Sequence, residues 1–258
     1  MKFKIICGAL FLAALSTLLF TSRGFTQSDK QSLQNNEAVI IDVSKIGKEM
    51  NAPEDTLQAP GGGGKTFQLQ RWKKEHLNKA IEELKYCFKN PEKTYLLTEV
   101  PAPWITLALI QALQPLKVHY LYPAPGGTDL DLMTLKRGKA VDNYGALFEV
   151  REEGDNVYIN LTTDEPSAAT TGKHTFDLEN LPKVVIPEIP AGKNVFIHGK
   201  GMYGAMVIIA WNYAKDAKTL SMAAHETDYL CAISHSKNLE PGDVTKRTWE
   251  NTLPGVGK

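Results

Sequence analysis

One pattern constrains this chain more than any other. A strand-length apolar run, a small-residue break, a helix-length apolar run and two further short apolar runs occur in that order, twice. In the second occurrence Val195 to Ile197 is the first run and Gly199-Lys200-Gly201 the break. Tyr203 to Tyr213 is apolar over a helical length, and Thr219 to Ala224 and Tyr229 to Ile233 flank the polar turn His225-Glu226-Thr227-Asp228. The order predicts strand, helix, strand, strand. A helix joining neighbouring strands sets them parallel with a right-handed crossover, and the short turn makes the last strand antiparallel.

Thr94 to Arg137 spells the same unit, with Pro103 standing 100 residues before Tyr203. Lys117 corresponds to Lys218 after one insertion, and Thr128-Asp129 to Thr227-Asp228. Identities are few, but pattern and spacing agree across several elements, which predicts an internal duplication over a chance likeness of two generic modules. The expected fold is therefore α/β to α+β, two fused β-α-β-β halves with extra β-hairpins and mixed sheets. The halves are expected over residues 27–141 and 142–258.

Residues 1–26 read as a signal peptide. Lys2 and Lys4 precede an apolar stretch from Ile5 to Phe20, and small and polar residues follow from Thr21 to Thr26. The stretch falls short of the ~20 apolar residues of a spanning helix. Cys7 lies ahead of it, badly placed for lipid attachment at a cleavage site. The expectation is an exported protein, periplasmic or secreted, with no integral span after cleavage. Cleavage removes Lys2, Lys4 and Arg23 from 29 basic residues, so 26 face 29 acidic ones and the net charge is −3. That balance argues against long nucleic acid as a partner. A small anion or nucleotide, a protein partner or a homo-oligomer all stay open. Cys87 and Cys231 remain, free to pair in an oxidising compartment or to serve as small buried side chains.

Between these landmarks, Ala38 to Val43 is a strand candidate and Gly47 to Gly64 reads as loop. The run Ala59 to Thr66 (APGGGGKT) matches a loose phosphate-loop pattern, which works only between a buried strand and a helix. Here polar residues precede it and Thr66 to Trp72 alternates like a strand, so a flexible glycine linker is expected. Lys73 to Phe88 is an amphipathic helix with Leu77, Ala80, Ile81, Leu84 and Phe88 on one face. Ala146 to Arg151 and Asn156 to Leu161 flank a hairpin turn at Glu152-Glu153-Gly154-Asp155. Asp164 to Lys173 is a polar loop, and His174 to Leu178 and Val184 to Ile189 look extended.

Ligand-binding candidates gather in the second unit. Gly199-Lys200-Gly201 stands where a strand passes to a helix, where glycines admit close approach and exposed amides favour an anion, although a tight turn alone is the favoured account of three such residues. His198 ends the first strand and His225 follows the second, which places both at the carboxyl edge, the usual ligand edge of such sheets. His235 ends the antiparallel strand and belongs at the opposite edge, about 20 Å away. No Ser/His/Asp order, HExxH or paired-cysteine metal pattern is present.

Val195-Phe196-Ile197-His198-Gly199-Lys200-Gly201, Ser234-His235-Ser236 and Pro241-Gly242-Asp243-Val244 together resemble the small CRISPR-associated type III ring nucleases that degrade cyclic tetra-adenylate. Pro103-Trp104 and Tyr122-Pro123 in the first unit are similar to other parts of that family's pattern, and the likeness covers about half the chain after residue 26. The resemblance implies metal-dependent chemistry by histidines and an aspartate. Of these only His235 has a counterpart here. The helix-end histidine is replaced near Ala214 and Gln114, and the aspartate near Ala224 and Pro123. The expectation is an exported, non-catalytic binding module for a small ligand or a protein. The alternative is an exported phosphodiesterase using His235 with His225 or His198 and a divalent metal such as manganese. A structural envelope protein is the third reading.

Overall fold

The structure is a computed structural model of the full chain. It describes residues 39–58, 66–88, 90–98, 100–122, 128–130, 132–139, 143–163, 178–200, 203–224 and 228–246. The expected signal peptide, Gly61 to Gly64, the polar loop from Asp164 to Lys173, Gly201 and His225 lie outside them.

The described chain forms mixed sheets and helices built on two β-α-β-β units. In the first, β1 (Val39–Asp42), β4 (Thr94–Thr98) and β5 (Lys117–Tyr122) are parallel, and β6 (Thr128–Leu130) returns antiparallel. In the second, β9 (Asn156–Thr163), β11 (Asn194–Lys200) and β12 (Thr219–Ala223) are parallel, and β13 (Asp228–Ser234) returns antiparallel. Two edge strands, β14 (Val244–Lys246) beside β13 and β8 (Ala146–Glu153) beside β9, make this a six-stranded sheet. Each β-α-β crossover carries one helix, α3 (Pro103–Leu113) and α4 (Tyr203–Ala214). The helices, like strands β4 and β11, begin 100 residues apart.

These two helices are apolar all round because each is walled on both sides. Helix α3 packs against β5 of its own sheet and against β12 and β13 of the other, while α4 packs against β12 and β5. They also pack on each other, and Thr106 Oγ1 and Tyr203 Oη share a 2.7 Å hydrogen bond where they meet. The result is a layer of helices between two sheets, with one continuous core running through both halves. Helix α2 (Lys74–Cys87) lies against α3 and buries Leu77, Ala80 and Leu84, as its periodicity predicts.

The seam between the halves is held by polar groups. Asn212 of α4 donates through Nδ2 to Met133 O (3.0 Å) and accepts from Leu135 N–H (2.8 Å). Strand β7 (Lys136–Arg137) follows, pairing with β10 (Val185–Ile186). Its Arg137 donates to Asn212 O and pairs with Asp216.

Three local expectations are corrected. The stretch read as loop from Gly47 begins inside a short helix, α1 (Val43–Glu49), whose start is capped by Asp42 accepting from Lys45 N–H. Residues Glu54–Gln58 (β2) then pair antiparallel with Thr66–Gln70 (β3), so residues 59–65 join two paired strands. The strand expected after the glycines is present, and a phosphate loop needs a helix there. Finally, Leu178–Lys183 is a 3-10 turn where an extended segment was expected to end.

Candidate functional site

Strands of the six-stranded sheet alternate in side-chain direction. Val157, Ile159, Leu161, Val195, Ile197, Leu220 and Met222 point to the helices and are buried. The opposite face carries Asn156, Tyr158 and Asn160 on β9, Asn194, Phe196 and His198 on β11, and Thr219 and Ser221 on β12. Parallel register aligns these in rows, Asn156 beside Asn194 beside Thr219, then Tyr158 beside Phe196 beside Ser221.

The first row is a hydrogen-bonded chain. Thr219 Oγ1 donates to Asn194 Oδ1 (3.0 Å), and Asn194 Nδ2 donates to Asn156 Oδ1 (3.0 Å). The second row is aromatic. Tyr158 stacks on Phe196 with centroids 5.1 Å apart, and Tyr229 of β13 meets Phe196 edge-on, also at 5.1 Å. Beyond them His198 Nδ1 and Tyr229 Oη are 3.0 Å apart, and Asn160 donates to Glu149 Oε2 (3.0 Å). This face is buried at its centre, and burial lifts the Tyr158 phenol above its ordinary range. Sequence reading overlooked it because the signal is spread over three strands. An Asn-x-aromatic pair on β9 and another on β11 become a pattern only when the strands are known to be neighbours.

His198 was expected at an open sheet edge. It is 2% exposed, because β11 runs past it by two residues. Gly199 and Lys200 were expected to turn into the helix; instead they pair with Leu161 and Thr162 of β9. The cause is the length of β9, which offers ladder partners beyond the end of the apolar run. Gly199 has φ +140°, and a Cβ there would lie 1.7 Å from Leu161 O. The glycine is therefore demanded by strand pairing.

His235 is exposed and lies at the other end of the sheet, its N–H bonded to Lys218 O at 2.9 Å. Its Nε2 donates to Ala214 O (3.0 Å), the last residue of α4, so the imidazole satisfies a helix-end carbonyl. Asn194, Thr219 and Ser234 share one level of the sheet, and His198 stands four residues further along. His235 lies one residue beyond Ser234 in the opposite direction, which places His198 and His235 about 16–17 Å apart along the strands alone. The two are not brought together.

The Pro241-Gly242-Asp243-Val244 motif has a structural account. Gly242 has φ +88° and passes so close to α2 that a Cβ would lie 2.8 Å from Lys74 Cα. Lys74 Nζ bonds Asp243 Oδ1 (2.8 Å) and Glu240 Oε2 (2.7 Å), tying the start of α2 to the turn before β14. The hydrogen bond from Lys74 holds the Asp243 carboxyl below its ordinary range, and the same bond raises Lys74. Lys74 and Asp243 are 169 positions apart, so no local signal announces the pair. Cys231, hydrogen-bonded through its backbone to Gly242 and Asp243, is a buried free thiol. Burial, assisted by the nearby Asp243 carboxylate, pushes it up to about 12.

Among the described residues no three His, Cys, Asp or Glu side chains group as metal ligands, and no helix is long and apolar enough to cross a membrane. The chain matches no protein-family model and no curated protein sequence.

Proposed function

We propose that this chain is an exported binding module without catalytic activity, carried on a duplicated, ring-nuclease-like scaffold. The observation that supports it most is the employment of its histidines. His235, the one position shared with the ring-nuclease pattern, has its Nε2 committed to the end of α4, and His198 is buried against Tyr229. A protein surface fits the partner better than a small anion. Gly199 and Lys200 belong to the β9 ladder, and the open groove of about 660 Å³ at residues Lys139, Phe148, Val150, Glu152, Pro187 and Glu188 has one lysine against two glutamates.

The test is direct. Purified protein is incubated with manganese and cyclic tetra-adenylate, products are resolved by chromatography, and melting is recorded with divalent metals and nucleotides. The expected result is neither cleavage nor a shift in melting temperature. Linear products that vanish in His235→Ala would overturn the reading.

A further inference from the structure

We infer that strand β8 is a self-complementary edge through which two copies of this chain pair, continuing the six-stranded sheet across a two-fold axis at Val150. The inference rests on the protein-binding reading above and names the partner as a second copy. Among the described residues β8 has a strand on one side only and is the longest strand at a sheet edge. Its eight residues, ALFEVREE, contain neither glycine nor proline, and its register with β9 runs from Ala146 to Glu153 without a bulge. Edges kept from pairing are shortened, bulged, interrupted by proline or charged. Strand β8 has only the last of these, and its charges are of both signs (Glu149, Arg151, Glu152 and Glu153), so they admit a partner of complementary order. Here Leu147 is 60% exposed and Val150 39% exposed, both large apolar side chains facing solvent.

The charges select the partner and the register. A two-fold axis normal to the sheet pairs residues antiparallel with like faces together. Two registers give the longest overlap. With Glu149 on the axis, Glu149 meets its own copy, and like charges directly opposite are unfavourable. With Val150 on the axis, Glu149 faces Arg151 of the second copy and Arg151 faces Glu149, so two opposite-charge pairs form. Glu153 then faces Leu147, and Glu152 faces Phe148, leaving no like charges directly opposite. On the helix side Val150 meets Val150, next to the groove floored by Phe148 and Pro187. Glu149 and Arg151 already have partners within their own chain, Asn160 and Glu153, which hold them extended along the strand.

The experiment measures assembly of the full chain without any ligand, so it is independent of the cleavage and metal tests. Sedimentation is followed over a wide concentration range for the wild type, Glu149→Arg, Arg151→Glu and an equimolar mixture of the two variants, with melting as a folding control. The wild type should dimerise. Each single variant places like charges opposite each other and should weaken the dimer by about tenfold or more. The mixture should restore it, because each Glu then faces an Arg. Val150→Cys should cross-link to itself on mild oxidation, since paired Cβ atoms lie about 4.5–5.5 Å apart. A wild type that stays monomeric, single variants that dimerise as the wild type does, or a mixture that fails to recover would each overturn the inference.

Discussion

Replacing Gly199 with alanine asks whether this glycine serves the fold or a ligand. The added Cβ would lie 1.7 Å from Leu161 O, 2.6 Å from its carbonyl carbon and 2.9 Å from its nitrogen. All three are backbone atoms, so no side-chain rotation relieves the contact. Strands β9 and β11 would have to part where Ile197 and Leu161 are fully buried. Holding alanine at φ +140° costs about 1–3 kcal/mol. Forcing a packed region to yield adds about 1–3 kcal/mol. The sum, about 2–6 kcal/mol, lowers the melting temperature by about 4–24 °C in a chain of this size. Gly154→Ala supplies the control, since Gly154 also has a positive φ (+58°) but nothing within 4 Å of the new Cβ. It should lose only the conformational part, about 1–2 kcal/mol. Thermal and urea denaturation of both variants measure the difference. A Gly199→Ala protein that melts within a degree or two of the wild type would refute the strand-pairing account.

Removing the helix-end contact with His235→Ala should cost about 0.5–1.5 kcal/mol by urea denaturation, the value of one hydrogen bond to a helix carbonyl. Cys231, buried and with its thiol pushed up to about 12, should resist iodoacetamide at pH 8 in the folded protein and react once urea unfolds it. Lys74→Met should destabilise the protein at pH 7 and cease to matter at low pH. Asp243, whose carboxyl is depressed when folded, stabilises above its ordinary value near 3.8 and loses that contribution as pH falls through the folded value. Lys74, raised when folded, contributes below its ordinary value near 10.5 and loses it only in strong alkali. The wild-type advantage over Lys74→Met should therefore disappear in acid, as read by melting at each pH.

Elements set by local pattern were legible, and contacts set by distant partners were not. Helices α3 and α4 and the strands after them stand close to their predicted positions because uninterrupted apolar runs of those lengths have few alternatives. The third parallel strand of each sheet was read as a strand, at Ala38 to Val43 and Asn156 to Leu161, but its place beside β4 or β11 was not. The β1–β4 and β9–β11 pairs join residues far apart in sequence, and nothing in VIID or NVYINLTT names a neighbour. Gly199 was misplaced for the same reason, since the end of β11 is set by β9. Asn212 did leave a trace, as an amide in an otherwise apolar helix. Its meaning came only with Met133 and Leu135 at its side chain.

The central helices carry a last consequence, for the independence of the two halves. Trp104, Ile105, Leu107, Leu109, Ile110 and Leu113 of α3 are all at most 3% exposed, and β12 and β13 of the other half supply one of the walls that cover them. Burying side chains of this size is worth about 1.5–3 kcal/mol each. Losing one of two walls would forfeit roughly half of about 9–18 kcal/mol, comparable to the whole stability of an ordinary domain. Helix α4, walled by β5 as well as β12, faces the same loss. Residues 27–141 and 142–258, expressed separately, should each be unfolded or aggregated, with no cooperative melting transition. Co-expressed, they should be recovered together as a soluble pair held by the α3–α4 contact and by the Asn212 and Arg137 bonds. A sharp melting transition from either half alone would show that the shared helical layer is dispensable and that the two units are separate domains.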